Sequence, residues 1–160
     1  MAVADLIESL ATHDVEFIVV GGAAASLQGA PVDASDLAIV YARSRVNLDR
    51  LLELLKELGA VYRDDPRKVR PNRSHLEGAG HKMLETRQGP LDLFGIIEEN
   101  TTFESLVGDA DWLDLNGSQV RVLSLSRQIR VKERLDRPKD QAILAVLRAT
   151  LEEKRLQPKA

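Results

Sequence analysis

The stretch VEFIVVGGAAASLQG, Val15–Gly29, sets the reading of the chain. Val15–Val20 is a β-branched and aromatic run of the kind that forms a buried strand. Gly21-Gly22 ends the strand, Ala23–Gln28 reads as a helix that begins on those glycines, and Gly29 stands where a helix C-cap would. The N–H groups at a helix start are unpaired and carry partial positive charge. Glycine lets an anion come close to them, so the junction is a candidate phosphate cradle. Many strand–glycine–helix junctions bind nothing. The dinucleotide fingerprint G-x-G-x-x-G is absent, because position 23 is Ala and no third glycine follows in step.

Outward from this core, residues 4–12 (ADLIESLAT) have the apolar spacing of a short helix, and Leu37–Tyr41 reads as a second strand. Asn47–Leu58 carries a leucine stripe at helical spacing, and Gly59 ends it. Val61–Arg63 suits a short strand, and Asp64–Gly80, with two prolines and two glycines, an irregular loop. His81–Thr86 and Leu91–Ile97 read as a hairpin turning at Arg87–Pro90, and Trp112–Leu115 and Val120–Leu123 as another around Asn116-Gly117. Ser126–Leu135 and Pro138 to about Glu153 are helical. The order predicts an α+β fold, a small mixed sheet with helices packed on it. One domain over residues 1–160 is expected. Residues 1–99 would hold the glycine motif and the acidic strands, and 100–160 the last hairpin and the C-terminal helices.

Composition narrows the chemistry. A chain of 160 residues fits one domain, at roughly 100–200 residues per domain. Without cysteine there is no disulfide, no thiolate zinc site and no cysteine nucleophile. Its three histidines, His13, His75 and His81, are too scattered for an H-E-x-x-H site. A net charge of −3 argues against a globally basic nucleic-acid binder, and 4% aromatic residues against a base-stacking platform. No apolar run reaches the ~18 residues of a membrane span, and MAVADLIESL lacks the build of a signal peptide, so the expected setting is the cytoplasm. The chemistry falls to carboxylates, glycines and a few basic residues.

Asp36 stands just before the second strand, and Asp92 between Leu91 and Leu93. Alternation puts Asp36 and position 38 on one strand face. A carboxylate between apolar neighbours is costly to bury unless it is paired or bound to a cation, and carboxylates beside a phosphate cradle are what Mg2+ uses with a nucleoside triphosphate. Either Asp alone could equally sit at a strand edge in water.

Residues Phe17–Gly29 followed by Asp36-Leu37-Ala38-Ile39-Val40, with Gly89-Pro90-Leu91-Asp92-Leu93 later, resemble the DNA-polymerase-β-type nucleotidyltransferase superfamily. More narrowly they resemble its small bacterial members, related to abortive-infection and toxin–antitoxin nucleotidyltransferases. Val122-Leu123-Ser124 to Lys132 and Arg137-Pro138-Lys139-Asp140 are similar to the family's usual ending, so the resemblance spans about residues 15–147. It implies that Gly21 and Gly22 hold phosphate and that Asp36 and Asp92 are catalytic Mg2+ ligands. It also implies nucleoside monophosphate transfer from an NTP to a hydroxyl on RNA, protein or a small molecule. The second carboxylate of the family's Asp-x-Asp belongs at position 38, where this chain has Ala38. Natural loss and a deliberate Asp→Ala change both fit. Either way the resemblance implies impaired transfer. The alternative is a degenerate, non-catalytic binding module, partnered with a cognate antitoxin or helical protein.

The segment RDDPRKVRPNR, Arg63–Arg73, has a local net charge of +3. Arg67 and Lys68 in it are expected to face the nucleotide or an RNA backbone, or else to be solvated. The resemblance implies that Lys132 is a phosphate contact on the C-terminal helices; the residues alone equally allow a surface ion pair with Asp136 four residues on. Asp140 is read as a helix-start partner of the dipole. Ser35 is a candidate nucleotide contact beside Asp36; Ser26 could touch phosphate or face the sheet. Trp112 is expected in the core or as an interface anchor.

Overall fold

A computed structural model describes residues 2–156. Helix α1 (Ala2–Thr12) leads into strand β1 (Phe17–Val20), α2 (Gly21–Leu27), β2 (Leu37–Tyr41), α3 (Arg45–Glu57) and β3 (Val61–Tyr62). After α4 (Arg73–Glu77) come β4 (His81–Thr86), β5 (Gly89–Phe94), β6 (Ile96–Ile97), β7 (Thr101–Thr102) and α5 (Phe103–Leu106). The hairpin β8 (Ala110–Leu115) and β9 (Ser118–Leu123) then precedes α6 (Leu125–Leu135) and α7 (Pro138–Leu156). This is the expected α+β arrangement, with a wider sheet: seven strands in the order β3-β4-β5-β2-β1-β9-β8. It is mixed, since β1 runs parallel to β9 and β2 parallel to β5, while the other neighbours are antiparallel.

Of the leucine stripe expected on α3, Leu48, Leu51, Leu55 and Leu58 are buried and Leu52 is half-buried, Leu54 is buried as well, and Ser44 caps the helix by accepting from the Asn47 N–H. Each fully buried leucine contributes about 1.5–3 kcal/mol relative to an exposed one. These side chains join Leu6, Leu10, Leu37 and Ile39 in one core. A second, smaller cluster forms where Ala25 and Ala30 meet Leu125, Ile129, Leu144 and Leu147, and it ties α6 and α7 to α2.

Two expectations change. The loop 64–80 contains α4, nucleated by a capping box in which Asn72 and His75 exchange side-chain and backbone hydrogen bonds. The strand expected over 91–97 breaks at Gly95, where a Cβ would stand 2.8 Å from the Gly78 carbonyl oxygen. Only glycine lets segment 78–80 lie against the strand there, and the chain beyond pairs with β7 in a separate two-stranded sheet.

Candidate functional site

Strand β1 delivers the chain to Gly21, whose φ of +68° lies in the left-handed region that glycine adopts without a Cβ penalty. A Cβ on Gly21 would meet the Ala38 Cβ at 3.6 Å, so position 38 faces the glycine turn. In register, Ala38 lies between Val20 on β1 and Asp92 on β5. Cross-strand partners share a face, so the Ala38 methyl sits directly beside the Asp92 side chain.

Asp36, two residues earlier, reaches the same place. It shares a hydrogen bond with Asp92, and that bond, together with burial and the repulsion of a second carboxylate, holds the Asp36 pKa above its ordinary value. The Arg63 guanidinium opposes the shift. Arg63 Nη2 donates to Asp92 Oδ1 at 3.0 Å and to the Leu84 carbonyl at 2.9 Å, while its buried Nε has no hydrogen-bond partner among the described residues. His81 Nε2 is 3.6 Å from the same Asp92 oxygen, and its ring stacks on Phe94 with 4.1 Å between centroids.

Two convergent carboxylates, with ionisation of Asp36 disfavoured by its neighbour, suit a single divalent cation, which would offset the repulsion between them. They do not suit a pair of ions. Position 38 offers a methyl group instead of a third oxygen donor, and one Asp92 oxygen already carries Arg63. No cluster of three or more acidic or histidine ligands forms among the described residues.

A cavity of about 810 Å3 reaches Ala38 and His81; Asp36 and Asp92 stand next to these two residues and do not themselves line it. Gly21, Gly22 and Ala38 close one end, and Lys132 and Arg137 project from the α6–α7 region. Aliphatic side chains such as Ile96, Ile97, Ile143 and Leu147 form most of the rest. Lys132 is therefore where a phosphate contact was expected. Its partner is not Asp136, which ends α6 in a left-handed cap (φ 44°) and accepts from Gln141. Lys132 Nζ is instead 3.4 Å from Asp140 Oδ1, and Arg137 Nε is 2.6 Å from Asp140 Oδ2. Asp140 is only 1% exposed and also accepts from the Arg137 N–H at the start of α7. Its bond to Arg137, with Lys132 in support, pushes its pKa down to about 2. Asp140 is thus a helix-start residue, as read, and in addition the anchor of two cavity cations.

The structure does not bring Arg67 and Lys68 to the cavity. The Tyr62 N–H donates to the Val69 carbonyl, so the loop folds back on itself; Arg67 turns outward, bonded to Asp65, and Lys68 is exposed beside it. Ser35 and Ser26 are exposed and line no part of the cavity. Trp112 is not core: it is 58% exposed on the edge strand β8, with the Arg121 guanidinium 4.4 Å from its ring centroid. Arg63 was visible only as one charge among the loop's five. Glu98, a cavity residue paired with the buried Arg127, carried no sequence signal.

No family model and no curated protein sequence matches the chain. Solved structures do. A Thermotoga maritima protein assigned to the nucleotidyltransferases aligns with a TM-score of 0.57 at 18% identity, covering 93% of this chain and 89% of that one. The antibiotic-resistance factor ANT(2'')-Ia, in complex with adenylyl-2''-tobramycin, aligns with a TM-score of 0.57 at 16% identity, over 95% of this chain and 91% of its own. An antigenic nucleotidyltransferase-like protein of Paracoccidioides brasiliensis gives 0.55 at 18% identity, over 94% and 73%. At such identities the likeness speaks for architecture alone, and on architecture the three agree: the chain has the nucleotidyltransferase fold.

Proposed function

We propose that the cavity binds a nucleoside triphosphate, and that its chemistry is Mg2+-dependent transfer of the nucleoside monophosphate to an acceptor hydroxyl, held well below full rate by Ala38. The observation that carries this reading is the meeting of Asp36 and Asp92 beside position 38, against the glycine turn. The backbone N–H groups at the start of α2 and the Lys132 and Arg137 side chains would hold the phosphates, with Asp140 fixing both cations. The aliphatic wall would shelter the base from water. Asp36 and Asp92 would hold one Mg2+, whose chemistry is to offset charge on the transferring phosphate. Without a carboxylate at 38, the charge stabilisation lost is about 3 kcal/mol or more, at least a hundredfold in rate.

RNA, protein and small-molecule hydroxyls are the acceptor classes in view. The adenylylated tobramycin in the ANT(2'')-Ia structure makes a small polyhydroxyl compound the first to try. A second reading, a non-catalytic module serving a cognate antitoxin or helical partner, draws support from Arg63, which already supplies the carboxylate pair with one tethered cation. Incubation with each α-labelled NTP, Mg2+ and the three acceptor classes separates the two. The catalytic reading expects slow labelling by the wild-type chain and faster labelling by Ala38→Asp. Nucleotide binding with no labelling by either protein leaves the binding module.

A further inference from the structure

Lys82 on β4 is a charged side chain buried without a carboxylate partner among the described residues. It is 6% exposed, in register with Leu93, and its ammonium donates to three oxygens: Tyr41 Oη at 2.9 Å, the Gly78 carbonyl at 2.6 Å and the Gly80 carbonyl at 2.7 Å. From β2 the Tyr41 phenol faces it, and just beyond β2 the Arg43 guanidinium repels it. From α4, the Glu77 carboxylate is engaged by Arg73. Segment 78–80 is wedged from the other side as well, by Gly95 and by the Ile96 N–H, which donates to the Ala79 carbonyl at 3.1 Å. Ala79, Gly80 and His81 form a wall of the cavity.

We infer that Lys82 is the positioning residue of that wall: its ammonium gathers the carbonyls of Gly78 and Gly80 as a bound monovalent cation would. Burial, with Arg43 adding to it, lowers the Lys82 pKa to about 8, so the clamp titrates under ordinary conditions. A neutral amine has two N–H bonds for three oxygens, so one contact is lost and the remaining ones lose the charge that strengthened them. The global effect has the opposite sign. Between about 8 and 10.5 the folded chain gives up a proton that the unfolded chain keeps, so this group makes the protein more stable as pH rises while its local clamp loosens.

The test is amide hydrogen exchange on the full chain without nucleotide, near pH 7 and near pH 9.5, corrected for the intrinsic pH effect. Protection of the Ile96 amide is expected to fall about tenfold across that range, the equivalent of one charge-assisted hydrogen bond, while the central-sheet amide of Val19, which follows global stability, does not fall and gains protection. Lys82→Met is expected to show the low Ile96 value at both pH values, and Lys82→Arg to abolish the pH dependence. Should Lys82→Met fail to fold, the wild-type pair of measurements decides alone. Ile96 and Val19 changing in parallel, or no difference between wild type and Lys82→Met, overturns the clamp. The consequence for ligand rests on the nucleotide reading: ATP affinity should weaken severalfold over the same interval. A wall that loosens in a chain that binds no ATP at any pH would end that reading and leave the clamp standing.

Discussion

Behind the cavity lining stand two acidic groups: Asp140 lies between Lys132 and Arg137, two cations that do line the cavity, while Asp36 and Asp92 meet beside Ala38 with one cation near them, Arg63, bonded to Asp92. The first group is held far below the ordinary carboxylate pKa, at about 2, and in the second Asp36 is held above it. The contrast is one of charge count. Asp140 is satisfied by the protein and serves it, fixing Lys132 and Arg137 and capping α7. The Asp36–Asp92 pair is unsatisfied and lacks positive charge from outside. Perturbed carboxylates of the second kind are the ones to associate with a ligand.

The largest effect expected from breaking this contrast is at position 38. Ala38→Asp adds a third carboxylate beside Asp92 and should raise Mg2+-dependent nucleotide incorporation at least about a hundredfold; equal incorporation by both proteins would remove the acidic pair from the chemistry. Next comes Lys132→Ala, which takes a cation from the satisfied group and leaves Asp140 on Arg137. ATP affinity measured by calorimetry should fall about tenfold, as for a lost charge-assisted contact.

Stability effects are smaller and of opposite sign in the two groups. Asp140→Asn should lower the melting temperature by several degrees at neutral pH. The wild-type contribution is present above the unfolded-state value of 3.8 and is lost as pH falls through about 2, so the variant should have a flatter acid limb. Asp36→Asn should raise the melting temperature slightly at neutral pH. A carboxyl whose folded pKa is raised costs stability once pH climbs from 3.8 through the folded value. A lower melting temperature for Asp36→Asn would mean that the pair is already satisfied. Smallest of all, Arg67→Glu with Lys68→Glu should leave ATP affinity unchanged at low salt, since both point away from the cavity.

What was legible in the sequence is what strands and turns dictate locally. Gly21-Gly22 after an apolar run gave the helix start, and alternation put Asp36 and position 38 on one face. The pairing of Asp36 with Asp92 needed the parallel register of β2 and β5, which the family resemblance supplied and periodicity could not. Arg63 reaches Asp92 across 29 residues because β3 pairs with β4, a contact with no local signature. The same segment misled for Arg67 and Lys68, because counting its charges says nothing of a loop that folds back at Val69. Of the two readings of Trp112, core and interface anchor, the structure removes the first. An edge strand leaves one face of the hairpin open, and an arginine, not the core, covers the ring. The break at Gly95 depends on segment 78–80 arriving from elsewhere in the fold.

The account stands on the Asp36–Asp92 pair being a cation seat one carboxylate short. Titration of Mn2+ into the wild-type chain, Ala38→Asp and Asp36→Asn, followed by electron paramagnetic resonance, tests that without any assumption about substrate. Weak binding by the wild type, binding at least about tenfold tighter by Ala38→Asp and none by Asp36→Asn is the expected pattern. Ala38→Asp binding no more Mn2+ than Asp36→Asn would contradict it.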